Sequence, residues 1–309
     1  MDLRQLEYFV NVVDFGGFSS AARFLGVAQP AISRQVRSLE VELRQSLLLR
    51  NGRGAIPTEA GKRLLDHASG ILLQVGRARS DVDETKGAPV GQVVIGLPPT
   101  LARHLTVPVV RRFRQDFPRA KLSIVEGLSS NIQEWLTVGR VDVGLVYNPI
   151  ASPAIEIRVV HTEALCLIGA RKGAREAKTL RLAELPRFPL LIPSRPHAIR
   201  TLVETRLASR GLRPQVAMEI DAVPAILELV ADGHGFAVLS PRALAGTAMA
   251  DRLHARTIVQ PQLRTALAIV TSAQRPSTPL QKATIAIIEE LTCPPPSRQA
   301  SSAKGAPPP

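Results

Sequence analysis

Residues 18–39, FSSAARFLGVAQPAISRQVRSL, admit few folds. Ala21, Ala22 and Leu25 fall on one face at helical spacing, and Gly26 breaks that helix. Val27 offers an apolar plug for the turn, and Ile32, Val36 and Leu39 repeat along one face of a second helix. Ser19 is placed to cap the first helix through its hydroxyl. Pro30 stands where the second helix opens and a missing N–H costs nothing. The chain here is two short helices joined by a tight turn. The outward face of the second helix carries Gln29, Ser33, Arg34 and Arg37, with Gln35 beside it. Glutamine and arginine carry paired groups that match base edges in the major groove of double-stranded DNA. The pattern therefore fits a recognition helix, and also an ordinary helical hairpin with a solvated face.

The next stretch of chain favours the recognition helix. LLLRNGRGAI (47–56) places Asn51-Gly52, a strong hairpin signal, between two very short apolar runs. The hairpin would form a wing, with Arg50 at its base and Arg53 at its tip, in reach of phosphates or a minor groove. Between positions 19 and 55 six arginines face only Glu40 and Glu42, a local net of +4.

Thr58 can cap a long helix after Pro57, although Gly61 stands where a capping box wants Glu or Gln. Leu64, Ala68, Ile71, Val75, Ala78 and Val82 recur at alternating spacings of four and three, a heptad seam. A helix over 58–84 is about 40 Å long at 1.5 Å per residue. Its stripe must be buried, either on its own domain or against the same helix of a second subunit. We expect the second, a homodimer, because a two-fold pair reads a palindrome and one helix–turn–helix reads too few bases.

KGAPVG (86–91) is a joint, and strands and helices alternate beyond it. QVVIGL (92–97), KLSIVEG (121–127) and VDVGLVY (141–147) read as strands, and helices are predicted over 106–117 and 131–138. The rhythm continues to a strand at 264–272 and a helix at 279–291, arguing for parallel sheets covered by helices. In such sheets ligands bind at the carboxyl ends of strands, against helix starts that attract anions. Thr100 follows the first strand, Ser129 and Ser130 the second, and Tyr147 and Asn148 the third. Ser194 and His197, after FPLLIP, are candidate partners across a cleft. A small anionic or polar effector is expected there. The bland alternatives are that Thr100, Ser129 and Ser130 cap helices and that Asn148-Pro149 is a turn.

Composition excludes more than it assigns. The net charge is +13, yet residues 1–90 hold 12 Lys/Arg against 10 Asp/Glu, while 91–309 hold 27 against 16. Most excess basicity thus lies outside the helix–turn–helix, and pI alone says nothing of DNA. Cys166 and Cys293 are far apart and in no CxxC, so no zinc spacing exists and a reducing cytoplasm fits. No apolar run reaches the roughly 18 residues of a membrane span, and the N-terminus lacks a signal pattern. GxSxG, HExxH and GxxxxGK[ST] are missing, and His161-Thr162-Glu163 lacks a PCxxC partner. We expect no enzyme, no metal and no cofactor.

The N-terminus, MDLRQLEYFVNVVDFGGFSSAARFLGVAQPAISRQVRSLEVELRQSLLLR followed by PTEAG at 57–61, resembles the LysR-type transcriptional regulators almost position by position. The likeness is specific over roughly residues 1–62 and continues more weakly to about 292. It implies an all-α winged helix–turn–helix domain over 1–58 (helix–turn–helix 18–37), with Leu3, Leu6, Phe9, Val10 and Val13 inside its first helix. A linker and dimerisation helix over 59–86 follows. Residues 91–292 would form a two-lobed α/β effector domain resembling periplasmic solute-binding proteins. Lobe I would comprise about 91–162 and 268–292, and lobe II about 163–267. The Pro/Ser/Ala-rich tail, 293–309, is expected to be disordered. Carried over by position, Gln29, Pro30, Ser33, Arg34, Gln35 and Arg53 would contact DNA, and the strand-end residues would line the effector pocket. The family usually has glycine where Arg44 stands and phenylalanine where Leu48 stands. The resemblance implies a regulator, a dimer assembling to a tetramer, and contact with RNA polymerase. The alternative for 91–292 is a solute-binding protein without a transcriptional role.

Overall fold

The computed structural model describes residues 1–51, 54–83, 91–171, 177–244, 247 and 249–292. The wing-tip positions Gly52 and Arg53, the joint at 84–90 and the tail 293–309 lie outside these.

Helix α1 (Leu3–Asp14) starts on a reciprocal cap: the Gln5 amide donates to the Asp2 carboxylate at 2.8 Å, and the Asp2 amide to the Gln5 side-chain oxygen at 2.9 Å. Helices α2 (Phe18–Leu25) and α3 (Gln29–Leu43) meet at Gly26, whose φ of +66° stops α2. Leu6, Phe9, Val12, Ala21, Ile32, Val36 and Leu39 form the centre of this domain. Leu3 is exposed and Val12 is buried instead, because the inward stripe of α1 runs through 5, 6, 8, 9 and 12. Ser19 does not cap: α2 begins at Phe18 after Gly17, and Ser19 lies inside the first turn. Strands β1 (Leu48–Asn51) and β2 (Gly54–Pro57) pair antiparallel as the wing. The Ala55 amide ties the wing to the α1–α2 turn by donating to the Gly16 carbonyl at 3.0 Å.

Helix α4 (Glu59–Asp83) is capped by Thr58, whose hydroxyl accepts from the Gly61 amide at 3.0 Å. Gly61 is a packing requirement: a Cβ there would lie 2.1 Å from the Leu47 carbonyl oxygen. Further along, a Cβ on Gly70 would lie 1.8 Å from the Val138 carbonyl oxygen, so α4 also lies directly on the next domain.

That domain has two lobes. Lobe I holds a five-stranded sheet in the order β4-β3-β5-β13-β6, from β3 (Gln92–Leu97), β4 (Lys121–Glu126), β5 (Val143–Tyr147), β6 (Ile155–Ala164) and β13 (Arg264–Ser272). Helices α5 (Pro99–Asp116), α6 (Ser129–Thr137) and α9 (Pro279–Thr292) cover it. Lobe II holds β7 (Cys166–Ala170), β8 (Thr179–Arg181), β9 (Pro189–Ile192), β10 (Gln215–Glu219), β11 (Ala237–Leu239) and β12 (Leu253–Val259), with α7 (Ala198–Ala208) and α8 (Val223–Ala231). Its strands form a sheet ordered β11-β7-β12-β8 and a parallel β9–β10 pair. The two-lobed α/β architecture is as expected, but the sheets are mixed. Strands β3, β4 and β5 run parallel, whereas β13 returns from lobe II and pairs antiparallel with both β5 and β6. Helix α5 starts at Pro99 and not near 106, since prolines are tolerated in a first turn.

Candidate functional site

The recognition-helix pattern folds as its period dictates. Ile32, Val36 and Leu39 are fully buried, while Gln29, Pro30, Arg34 and Arg37 are exposed and Ser33 and Gln35 half-buried. One helix thus shows an oily back and a polar front. Arg50 from β1 joins that front. Its guanidinium lies 4.5 Å from the Phe18 ring centroid, donates to the Ser33 hydroxyl at 3.3 Å, and stands 3.8 Å from the Glu40 carboxylate. Glu40 also accepts from the Leu47 and Leu48 amides at 2.9 and 3.2 Å, so one carboxylate fixes the path from α3 into the wing. From the sequence alone Glu40 counts only as an opposing charge. Gln29, Pro30, Ser33, Arg34, Gln35, Arg37 and Arg50 therefore share one region, and Arg53 lies outside the described residues.

The seam residues divide. Ala68 is fully buried and Leu64 half-buried in their own domain's core, so Ala68 cannot serve a second subunit. The α1 helix and the wing claim that part of α4 first. Ile71 and Ala78 are exposed and Val75 half-buried. The side chain of Val82 lies outside the described residues.

The strand-end residues divide too. Thr100 and Tyr147 line a cavity of about 320 Å³ between α5, the end of α9 and lobe II, with Leu101, Leu105, Ile199 and Leu239. Burial, and secondarily the Glu163 carboxylate, push the Tyr147 hydroxyl up to about 12, against a hydrogen bond from Thr100 and the charge of Arg242. Tyr147 is therefore a neutral phenol at any physiological pH. Ser129, Ser130, Asn148, Ser194 and His197 do not line this cavity. The Ser129 hydroxyl accepts from the Tyr147 amide at 3.0 Å, and Ser130 donates to Asn131 at 3.3 Å. Ser194 donates its amide and hydroxyl to Asp221 at 2.8 and 2.6 Å. Asn148, at φ +47°, accepts from the Ala266 amide at 2.9 Å, while its Nδ2 is buried with no partner among the described residues. His197 Nδ1 is buried in the same condition, and burial pushes its imidazole below the ordinary histidine value. None of Thr100, Ser129 and Ser130 is a helix cap: α5 and α6 begin after Pro98 and Leu128, without side-chain capping bonds.

Sequence reasoning missed Ser240 and Arg242 in the cavity wall. They follow β11, so the strand-end rule that picked Thr100 would have found Ser240 had it been applied there.

Comparison with known proteins covers nearly the whole chain. Residues 3–62 match the family described as bacterial regulatory helix-turn-helix protein, lysR family, and residues 86–292 match the LysR substrate binding domain. The nitrogen assimilation regulatory protein nac of Klebsiella aerogenes is 32% identical over 292 residues, spanning 94% of this chain and 95% of that protein. Its namesake from Escherichia coli is 35% identical over 240 residues, covering 77% of this chain and 78% of the relative. Among solved structures, full-length CbnR complexed with its target DNA aligns with a TM-score of 0.67 at 25% identity, over 94% of this chain and 100% of that one.

Proposed function

This chain belongs to the LysR family of DNA-binding transcriptional regulators with an effector-binding domain, and on that premise we propose how its own residues do the work. Two copies place their α3 helices in successive major grooves of an interrupted palindrome, and two such dimers assemble to a tetramer. Gln29, Ser33 and Arg34 meet base edges, while Pro30, Gln35, Arg37, Arg50 and Arg53 meet sugar and phosphate. One observation carries this reading: α3 buries Ile32, Val36 and Leu39 completely and leaves its Gln/Ser/Arg face open, with Arg50 laid beside it. Ile71 and Ala78, exposed from the middle of α4 onward, are the seam residues left for a second copy.

A small effector binds the domain over 91–292 and favours one tetramer shape over another, changing DNA bending and contact with RNA polymerase. It must bind the two shapes unequally to switch anything. The protein works in the cytoplasm and carries no reaction; no helix of the described residues is long and apolar enough to cross a membrane. The solute-binding alternative loses its support, because the chain's relatives are regulators.

The test is a gel shift with the DNA upstream of the chain's own coding region, against random duplex. Arg34→Ala should weaken specific binding about 10- to 100-fold, the worth of one bidentate base contact, and leave random-duplex binding nearly unchanged. Equal losses on both duplexes would remove Arg34 from base readout.

A further inference from the structure

Resting on the reading of residues 91–292 as an effector-binding unit, we propose that the cavity beside α5 takes a small, largely apolar monocarboxylic acid, its carboxylate held by Arg242. The walls set the bulk of the ligand. Leu101 and Leu105 line the cavity from α5, Leu291 from α9, and Ile199 and Leu239 from lobe II. A volume of about 320 Å³ lies at the low end for ligand pockets, the size of one ring or a short branched chain. A polyanion such as a tricarboxylate would bring charges against leucine and isoleucine with nothing to satisfy them.

The fixed charge comes from Arg242, the one arginine, lysine, aspartate or glutamate among the described residues that line the cavity; the His104 imidazole lines it too. Its counter-ion, Glu163 on β6, lies 3.5 Å from Nε and is not among the lining residues. The Thr100 and Tyr147 hydroxyls line the same cavity and can donate to a carboxylate held there. A planar guanidinium holds a carboxylate through two parallel N–H···O bonds, whereas a phosphate monoester would bring a second charge into the same apolar walls.

The position of Arg242 also says what binding would move. It stands on the turn after β11 in lobe II. It reaches Glu163 on the strand that crosses between the lobes, and donates to the Thr292 carbonyl at the end of α9 in lobe I at 3.5 Å. A carboxylate on Arg242 thus competes with the contacts that fasten lobe II to lobe I, and cavity occupancy is coupled to the angle between them.

Full-length protein should be titrated calorimetrically with cyclohexanecarboxylate, with its neutral counterpart cyclohexylmethanol, and with citrate. The expected result is saturable binding of cyclohexanecarboxylate, with the other two at least tenfold weaker. Leu105→Trp, which fills the cavity, and Arg242→Gln, on a partly exposed turn, should each weaken it at least tenfold, with partial rescue by Arg242→Lys. Tighter binding of citrate, undiminished binding in the variants, or no binding of any probe overturns the proposal. The gel shift on the same preparations separates the two failures. Intact sequence-preferring DNA binding with no acid binding defeats the cavity alone, whereas acid binding without DNA preference defeats the regulator reading.

Discussion

Arg44 closes α3 in the left-handed region, at φ +53° and ψ +34°, its amide donating to the Val41 carbonyl at 3.2 Å. A side chain there crowds the following carbonyl, at a cost of roughly 1–2 kcal/mol, which glycine avoids. Glycine in turn loses more freedom on folding, by roughly 0.5–1 kcal/mol. Arg44→Gly should therefore stabilise the protein by up to about 1 kcal/mol, read as a higher urea midpoint with unchanged slope. A second residue-scale effect is pH-dependent. Burial holds the His197 imidazole below its ordinary value of 6.5, so the unfolded chain binds its proton more tightly than the fold does. The stability this neutral imidazole contributes is complete above 6.5 and is lost as pH falls through that value toward the lower folded one. His197→Gln should flatten the fall in urea midpoint as pH drops below 6.5. A variant titrating like the parent would show that some other group carries the slope.

At the scale of the element, α4 serves two masters. Its first half is fastened to the DNA-binding domain through Gly61, Leu64 and Ala68, and its middle to lobe I through Gly70 and Leu73. What remains for a partner subunit lies on the face of Ile71 and Ala78. Ile71, 38% exposed, is the better target. Ile71→Asp should leave the fold intact and convert dimers to monomers in sedimentation at micromolar concentration; an unchanged profile removes α4 from the dimer. The heptad spacing predicted the helix but not which stripe residues the chain uses itself, because a period does not name its partner. The same distinction runs through the whole chain. The helix–turn–helix was legible because Gly26, Pro30 and the apolar repeat act within one or two turns of each other. Most of strand β6, ahead of its crossing end near 161–165, was not, because it is half-exposed along its length and lacks a clean alternation. The cavity was half legible: Thr100 and Tyr147 sit at strand ends, but Leu239 and Arg242 reach it from roughly a hundred residues on, through a fold the local pattern does not encode.

For the whole molecule, the question is how a signal in the lobes reaches the DNA-binding helices, and the two parts touch where α4 lies on lobe I. Arg77 of α4 and Asp142, just before β5, form an ion pair in which both side chains are only 9% exposed. Asp142 also accepts from the Val94 amide of β3 at 2.8 Å, and its carbonyl accepts from Gln281 of α9 at 3.0 Å. Asp66 and Arg140 add a second, half-buried pair at 2.5 Å. Arg275 faces the same carboxylate, and burial, followed by the charge of Arg77, pushes its guanidinium below the ordinary arginine value. Two cations thus lean on one anion. Asp142→Asn keeps an acceptor for Val94 but leaves both arginines uncompensated, which should cost about 3–5 kcal/mol, the penalty for a buried charge stripped of its partner. Removing the second charge should recover most of the loss, so Arg77→Met in the Asp142→Asn background should be more stable than Asp142→Asn alone. Hydrogen exchange adds the spatial readout: amides of 66–79 should exchange faster in Asp142→Asn while those of α3 stay protected. If exchange rises equally in both helices, the pair holds up the DNA-binding domain as a whole and is not a joint between two otherwise independent bodies.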